Sequence, residues 1–396
     1  MKSQEKKDNE GGIKKKTLAI VEVQNVLLQW YDLNYNEVKH VVEGCKKGEN
    51  NVQEIKDNNL LIRLLNNGYH ISQATLKALL NSDFVPVYNP IQKYFDSLPL
   101  WTEGSRDYIN ELANHVKAID QEKFNHHFKK MLVRVIACAL DNRSYNKHAF
   151  ILVGAKQHTG KSTFCRFLCP PSLENYRVDT IPEGKDSLIT LSENLIINLD
   201  ELSSMNKIEL NHLKNLFSMD SVRVRHPYAS RMQTDARRAS FIGSTNEESF
   251  LTDTTGNVRW ICFEIDTIEF HYEQIGIDNV WSQAYALYKL GFNYQLTSEE
   301  LKENELRNEQ YQAVTMEYEY IQQFLTPANV MDNDAFLTTT QIRDYIITQS
   351  DRKADLKSTD KLGKALRKLG FEKVNKRIEE FNQPRGGYYV FYINKP

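Results

Sequence analysis

The feature that most constrains the fold is an apolar strand that runs directly into a glycine-lysine-serine turn. Residues 151–163 read Ile-Leu-Val-Gly-Ala-Lys-Gln-His-Thr-Gly-Lys-Ser-Thr. A strand, such a turn and a following helix form a loop whose backbone N–H groups can surround a phosphate. The usual spacing places a first glycine where this chain has Ala155, and Gly154 is one residue too early. Because only a positive backbone angle strictly demands glycine, we expect the methyl group of Ala155 to be tolerated.

A nucleoside triphosphate at this turn would contact the whole loop. Lys161 could reach the β- and γ-phosphate oxygens, and Ser162 could place its hydroxyl on Mg²⁺. A glycine-lysine-serine match alone often occurs by chance. The prediction of ATP and Mg²⁺ as ligands therefore needs support from a second motif. The predicted nucleotide contacts are Gly154, Ala155, Gln157, His158, Thr159, Gly160, Lys161, Ser162 and Thr163.

A second apolar run ends abruptly in two carboxylates. Residues 195–201 read Leu-Ile-Ile-Asn-Leu-Asp-Glu, which is typical of a buried parallel strand. The carboxyl ends of parallel strands meet at one edge of a sheet, so these acids are expected beside the phosphate loop. Asp200 would hold Mg²⁺ through water, and Glu201 would act as general base towards the attacking water. The alternative is a strand that ends at a solvated acidic turn.

A third apolar run, residues 239–246, ends in Asn246. Its amide could orient the attacking water against the γ-phosphate, although an Asn at a strand end is usually a turn residue. The alternation of strands with helices predicts an α/β fold with a parallel sheet and right-handed crossovers. Strands are predicted near residues 149–153, 194–199, 239–243 and 259–265.

The composition is that of an ordinary cytosolic protein. The chain has 396 residues, of which 41% are hydrophobic and 26% charged, so it can bury at least two cores. No apolar stretch approaches the roughly 20 residues that span a bilayer, and the basic N-terminus lacks secretory-signal features. We therefore expect a cytoplasmic location and no membrane partner. Reduced thiols are predicted for Cys45, Cys138, Cys165, Cys169 and Cys262.

The net charge of -2 gives no sign of nucleic-acid binding, so any basic surface must be local. One candidate is the segment 221–233, where valines alternate with arginines as in a two-stranded ribbon. Basic side chains here could contact a phosphate backbone. A solvated edge and contacts with a neighbouring subunit are open alternatives. The candidate DNA-binding residues of this segment are Arg223, Arg225, His226 and Arg231.

The other candidate is the C-terminal module. Residues 351–396 contain twelve Lys or Arg against six Asp or Glu. Helices over 338–348 and 358–369, followed by a hairpin over 373–393 that turns at 384–387, predict a winged helix. Such modules bind DNA or protein. DNA phosphate contacts are predicted for Lys361, Lys364, Arg367, Lys368 and Arg385.

Five segments follow from these patterns. The polar, lysine-rich N-terminal tail cannot bury a core, and a long charged helix over 297–324 leads into the C-terminal module. The predicted segments are a disordered tail (1–16), a helical region (17–99), a nucleotide-hydrolase domain (100–295), a helical linker (296–336) and a winged-helix-like domain (337–396).

The order and spacing of the three strand-end motifs resemble a superfamily 3 helicase or a related AAA+ ATPase. Within that group the chain resembles the virulence-associated E (VirE/VapE) family over roughly residues 20–295. The resemblance rests on the segments 89–101, 151–163, 200–202 and 250–260. It implies an α/β P-loop NTPase core and a replicative helicase of a phage or mobile element. Such proteins act as oligomeric rings on single-stranded or forked DNA, often with a primase.

Arg259 follows a glycine turn, leads an apolar strand and resembles the family's arginine finger. Such a residue would neutralise charge on the γ-phosphate bound by the adjacent subunit. The alternative is a structural salt bridge with Asp253. Two features depart from the family pattern: Ala155 replaces a glycine, and no primase motif is recognisable.

Two functions follow from these motifs. One is a hexamer-like ring that hydrolyses ATP to translocate on DNA. The other is a non-motor switch, in which ATP binding sets the oligomeric state of a DNA-binding regulator or scaffold. Glu201, Asn246 and Arg259 favour the motor, because a switch does not need all the catalytic residues. Ala155 favours the switch.

Overall fold

The computed structural model has a mixed α/β architecture with several sheets. It describes residues 20–156, 159–200, 202, 205, 207–226, 231–247, 249–251, 257–312, 315–350, 356, 358–377 and 384–393. These residues pack into four hydrophobic clusters. One lies in the N-terminal unit, two lie on the faces of a six-stranded sheet, and one lies in the C-terminal unit.

The N-terminal unit combines helices with a small sheet. The strand order is β3-β2-β1-β4, with β1 antiparallel to β2 and parallel to β4. The sequence predicts helices alone here, so the sheet is a correction. Each of the two long strands buries only two of its six residues, which leaves no apolar run to recognise. The elements are α1 (20–30), β1 (Tyr31–Asn36), β2 (Val41–Lys46), β3 (Gln53–Glu54), α2 (Asp57–Asn66), α3 (Gln73–Leu80) and β4 (Val87–Tyr88).

The central unit is built on a six-stranded sheet. The strand order is β5-β12-β6-β11-β8-β7, and all neighbours are parallel except β5 and β12. The strands predicted from apolar runs are present as β6, β8, β11 and β12. The elements are α4 (Pro90–Ser97), α5 (Tyr108–Asn114), β5 (Val116–Ala118), α6 (Gln121–Leu140), β6 (Ala149–Val153), α7 (Lys161–Phe167), β7 (Arg177–Val178), α8 (Asp186–Glu193), β8 (Ile196–Leu199), α9 (Lys207–Ser218), β9 (Ser221–Val224), β10 (Gln233–Ala236), β11 (Ser240–Thr245), β12 (Trp260–Ile268) and α10 (Ile277–Lys289).

Both faces of this sheet are covered. Successive residues of β6 alternate between the two clusters: Phe150 and Leu152 pack with α6 and α10, whereas Ile151 packs with α9 and β9. A strand buried on both faces must be apolar at every position, which explains the continuous run in the sequence. The strand order also places β11 between β6 and β8, so the carboxyl ends of these three strands meet at one edge.

The linker between the central and C-terminal units contains two helices, α11 (Ser298–Asn308) and α12 (Met316–Phe324). The single helix predicted over 297–324 is therefore wrong. A short 3₁₀ turn, Glu309–Tyr311, interrupts it. Tyr311 is buried in the central unit, and its carbonyl accepts a hydrogen bond from Leu251 N. This tertiary contact outweighs the helical propensity of the charged segment.

The C-terminal unit packs two helices against antiparallel strands. Strand β16 pairs with β13, β14 and β15. Lys376 pairs with Arg385 and Asn375 with Gly386 inside the sheet, so residues 385–387 belong to a strand and the predicted turn at 384–387 is wrong. The elements are β13 (Leu325–Pro327), β14 (Ala335–Thr338), α13 (Thr339–Gln349), α14 (Thr359–Lys368), β15 (Lys373–Lys376) and β16 (Arg385–Tyr392).

In the part of the chain that the structure describes, we find no helix long and apolar enough to cross a bilayer. All five cysteines are free thiols. Cys165 and Cys169 are buried in the cluster around α6, where they pack as small apolar residues.

Candidate functional site

Lys161 lies at the start of α7, directly after the glycine turn, and its side chain is 5% exposed. Its ammonium group donates hydrogen bonds to Gly154 O at 2.9 Å, to Lys156 O at 2.8 Å and to Thr159 Oγ1 at 3.0 Å. Burial lowers the pKa of this ammonium group. The loop therefore surrounds the Lys161 ammonium group, and all three hydrogen-bond acceptors of that group belong to the loop.

The loop uses its glycines at two positions. A Cβ on Gly154 would lie 2.8 Å from Ile265 O of β12, so close approach of the backbone demands glycine there. Gly160 has φ +82°, a left-handed conformation that side chains disfavour. Ala155 is exposed and does not have a positive φ. The methyl group is therefore tolerated, because the positions that need glycine are Gly154 and Gly160.

Asp200 follows β8 and joins three segments of the sheet edge. Its Oδ1 accepts hydrogen bonds from Ser162 Oγ at 2.6 Å and from Ser244 Oγ at 3.2 Å. Its Oδ2 lies 3.1 Å from Arg166 NH2. Asp200 thus lies beside the phosphate loop, where the parallel strands were expected to bring it.

Sequence reasoning missed two of these residues. Arg166 is four residues after Ser162 and so lies on the same face of α7, a spacing that could have identified it. Its Nε also lies 3.3 Å from Asp179 Oδ2. Ser244 precedes Asn246 by two positions in β11, and strand alternation could have placed it on the same side.

Asn246 lies at the end of the strand between the loop and Asp200. It is exposed and follows Thr245, whose carbonyl accepts a hydrogen bond from Gly154 N at 3.1 Å. Its amide therefore lies at the same edge as the loop. Thr163 is exposed on α7, and Gln157, His158 and Glu201 lie outside the described residues.

Arg259 lies at the amino ends of the parallel strands, at the opposite end of the sheet from the phosphate loop. It immediately precedes Trp260, which pairs with Ala149, the first residue of β6. Arg259 is therefore level with His148, six residues before Gly154, and because a strand rises about 3.3 Å per residue its backbone is roughly 20 Å from the phosphate loop of its own chain. Its Nε donates to Ser218 Oγ at 3.0 Å. The alternative partner, Asp253, lies outside the described residues.

The turn that carries Arg259 is held by two buried asparagines of α11. Asn304 Nδ2 donates to Trp260 O at 2.9 Å, and Asn308 Nδ2 donates to Asn257 O and Trp260 O, both at 2.7 Å. These bonds fix the backbone on either side of the arginine. The half-buried Arg259 side chain therefore extends from a fixed backbone.

A two-stranded ribbon is present, with β9 antiparallel to β10, but β10 begins only at the last residue of the predicted segment 221–233. Arg223, Arg225 and Arg231 are exposed. His226 is 4% exposed and lies 2.6 Å from Asp235 Oδ2 and 3.3 Å from Glu193 Oε1. The His226 imidazole is buried between two carboxylates, unlike the three exposed arginines, so the structure gives no support to a DNA contact by His226.

The predicted basic residues of the C-terminal unit do not form one surface. Arg367 and Arg385 line a cleft of about 720 Å³ together with Lys373. Lys368 instead donates to Gln312 O at 3.0 Å, so it contacts the linker. Lys361 is exposed and Lys364 is half-buried on α14.

Similar folds occur among solved structures, whereas no curated protein matches the sequence. The A form of the apo C-terminal region of NrS-1 aligns with a TM-score of 0.50 and 14% identity, covering 93% of this chain and 98% of that one. A second apo structure of the same region has a TM-score of 0.49, 14% identity and the same coverage. At this identity the likeness concerns the fold.

A family model for the virulence-associated protein E-like domain matches residues 97–313. The match covers more than half of the chain and includes the phosphate loop, Asp200, Asn246 and Arg259. It extends from the end of α4 to just beyond Tyr311, the residue that ties the linker to the central unit. The chain therefore belongs to the virulence-associated protein E-like family.

Proposed function

We propose that this protein is an ATP-dependent DNA translocase that acts as an oligomeric ring in the replication of a phage or mobile element. The observation that carries the proposal is the junction of Ser162 and Asp200 beside the buried ammonium group of Lys161. A hydroxyl, a carboxylate and a lysine at one sheet edge are the groups that a magnesium-bound triphosphate needs.

The residues at this edge fit ATP and Mg²⁺. The three oxygen atoms that accept hydrogen bonds from Lys161 belong to its own loop, and phosphate oxygens can replace them. Ser162 and Asp200 offer the oxygen ligands that Mg²⁺ prefers. When bound, Mg²⁺ supplies neutralisation of charge on the β- and γ-phosphate oxygens.

The remaining chemistry falls to residues around this junction. Asn246 orients the attacking water from the strand between the loop and Asp200. Arg166 holds the second carboxylate oxygen of Asp200, which keeps Oδ1 directed at Ser162. Glu201, adjacent to Asp200 in the sequence, is the general base.

Arg259 acts on the nucleotide of a neighbouring subunit. Its position at the opposite end of the parallel strands from its own loop supports a role in trans, and the asparagines of α11 hold its turn in place. A guanidinium supplied in this way stabilises charge on the transferred phosphoryl group. Hydrolysis therefore requires assembly, which couples turnover to the ring.

DNA contacts the exposed arginines of the ribbon β9–β10 and the cleft of the C-terminal unit. Arg367, Lys373 and Arg385 line that cleft, and the packing of two helices on a four-stranded antiparallel sheet supports the assignment of a winged-helix-like module. These residues make phosphate contacts, which supply affinity without base discrimination.

DNA-stimulated ATP hydrolysis tests the motor. Wild type is expected to hydrolyse ATP faster with single-stranded or forked DNA, and Lys161→Ala is expected to lose this activity. Lys117→Ala is the matched control, because Lys117 pairs with Glu269 at 3.0 Å on the same sheet. A well-folded oligomer without stimulated hydrolysis would overturn the proposal in favour of the switch.

The C-terminal cleft has its own test. Arg367→Ala is expected to weaken DNA binding and to reduce its salt dependence by about one phosphate contact. Lys368→Ala removes the neighbouring charge, which contacts Gln312, and should leave DNA affinity unchanged. Equal losses in the two variants would contradict the assignment of the cleft.

A further inference from the structure

Two histidines and a carboxylate meet where the N-terminal unit contacts the ribbon β9–β10. His40 comes from the β1–β2 turn, whereas His226 and Asp235 come from the ribbon. His40 Nε2 lies 3.5 Å from Asp235 Oδ1, and His226 Nε2 lies 2.6 Å from Asp235 Oδ2. The three ligand atoms lie within 4.8 Å of one another. Ligands of a tetrahedral Zn²⁺ ion are about 3.4 Å apart, so the 2.6 Å contact must widen and the two imidazole rings, whose centroids lie 4.1 Å apart, must reorient.

The outer ring nitrogens of both histidines face protein oxygen atoms. His226 Nδ1 lies 3.3 Å from Glu193 Oε1, and His40 Nδ1 lies 3.4 Å from the Tyr35 hydroxyl oxygen. Histidines that bind metals almost always have a partner on the second nitrogen, because it fixes the tautomer and the ring orientation; Glu193 is within ion-pair distance of His226 Nδ1, although that nitrogen makes no hydrogen bond here. Both Nε2 atoms are thereby left to face Asp235.

The charges around this histidine cluster favour a cation. Asp235 and Glu193 contact the histidines, and Glu37 is a third carboxylate nearby. The neighbouring cations are Arg238, which lies 4.0 Å from Glu37, and Lys39. With neutral imidazoles, three carboxylates face two cations, which leaves one negative charge for a bound metal ion to neutralise.

The backbone holds His40 in place before any ligand binds. Its φ of 55° is left-handed, a conformation that non-glycine residues seldom adopt. The turn is fixed because Asn36 Oδ1 accepts hydrogen bonds from Val38 N at 3.0 Å and Lys39 N at 3.1 Å. Asn36 also donates to the Tyr176 hydroxyl of the central unit at 2.7 Å. The position of His40 relative to the ribbon is therefore set by contacts outside the cluster.

We propose that His40, His226 and Asp235 bind one Zn²⁺ ion, with Glu193 orienting His226. Two imidazoles and one carboxylate suit Zn²⁺, whereas Mg²⁺ takes oxygen ligands and keeps several waters. Water completes the fourth position. The ion joins the N-terminal unit to the ribbon and has a structural role that is separate from nucleotide hydrolysis.

Zinc binding to the full-length chain, stripped of metal, tests this site without reference to ATP turnover. Calorimetric titration with Zn²⁺ is expected to give one equivalent per chain. His40→Ala and Asp235→Asn should each weaken the affinity at least about tenfold, the usual cost of damaging a metal site. Co²⁺ should give the visible absorption of a tetrahedral site in wild type, and Asp235→Asn should lose it.

His70→Ala is the control, because His70 is an exposed histidine of the N-terminal unit outside the cluster. It should bind Zn²⁺ as wild type does. His40→Gln keeps the side-chain volume and repeats the test where metal-free His40→Ala melts earlier than wild type. A wild type that binds no Zn²⁺, or cluster variants that bind it with unchanged affinity, would overturn the proposal.

Discussion

The carboxyl edge of the six-stranded sheet and the histidine cluster are assembled in different ways. At the sheet edge, Lys161, Asp200 and Asn246 each follow an apolar strand. In the histidine cluster, His40 comes from a turn and His226 from the end of a short ribbon strand. A site at the ends of parallel strands can therefore be recognised from local sequence. A site at a contact between two units depends on tertiary structure, which no short motif records.

The polar groups of the two regions also differ in how they are held. The ammonium group of Lys161 binds oxygen atoms of its own loop, which a phosphate can replace. In the histidine cluster, His226 contacts Asp235 directly. A ligand that replaces this contact must therefore bind both side chains. The first arrangement suits a substrate that enters and leaves, and the second suits a structural ion.

The largest effect is expected for Arg259→Ala, which tests whether the sheet-edge site needs a neighbouring subunit. We expect ATP turnover to fall about a thousandfold, the lower end of the effect of an arginine finger. Nucleotide affinity should change little, because Arg259 is at the opposite end of the sheet from its own loop. Steady-state hydrolysis and equilibrium nucleotide binding measure the two effects.

Arg143→Ala is the matched control for this variant, because Arg143 is an exposed arginine in the connection that enters β6. It should turn over ATP at the wild-type rate. Unchanged turnover in Arg259→Ala would remove this residue from the mechanism.

A smaller effect tests whether the two regions are separate sites. At about 100 times its dissociation constant, each ligand should stabilise the folded chain by about 2.7 kcal/mol. We expect ATP with Mg²⁺ and Zn²⁺ each to raise the melting temperature, and their effects to add because the sites share no residues. Asp235→Asn should lose the zinc shift and keep the nucleotide shift, as thermal unfolding with each ligand would reveal. Loss of both shifts together would contradict the separation.

A still smaller effect is expected within the phosphate loop. Gly154→Ala places a methyl group against Ile265 O and should destabilise the chain by roughly 1–3 kcal/mol, as overpacking does. Ala155→Gly should change stability by less than about 0.5 kcal/mol, because Ala155 is exposed and has no positive φ. Denaturant unfolding of the two variants makes the comparison. Equal destabilisation would show that the glycine requirement has been misassigned.

Much of the sheet could be predicted because burial on both faces leaves continuous apolar runs. The prediction that Ser162 and Asp200 lie at one edge agrees with their 2.6 Å separation. Ser244 was missed because a serine within a buried strand is not by itself a sign of a site, and only its two-residue spacing from Asn246 could have identified it. The N-terminal sheet was missed because β1 and β2 bury few residues.

The features that sequence reasoning missed depend on tertiary contacts. His226 follows an arginine-rich stretch, so its sequence context predicts a DNA contact, but Glu193 and Asp235 surround it in the fold. Residues from three separate segments meet there, and no spacing in the chain relates them. The break between α11 and α12 likewise results from the burial of Tyr311 in the central unit.

The central claim is that the sheet edge holds a magnesium-bound triphosphate, and the magnesium dependence of ATP-analogue binding tests it most directly. Equilibrium dialysis of a non-hydrolysable analogue should show one site per chain in wild type, with affinity that rises on addition of Mg²⁺. Asp200→Asn should lose that rise, whereas Asp344→Asn, an exposed aspartate of the C-terminal unit, should keep it. Equal magnesium dependence in both variants would contradict the account.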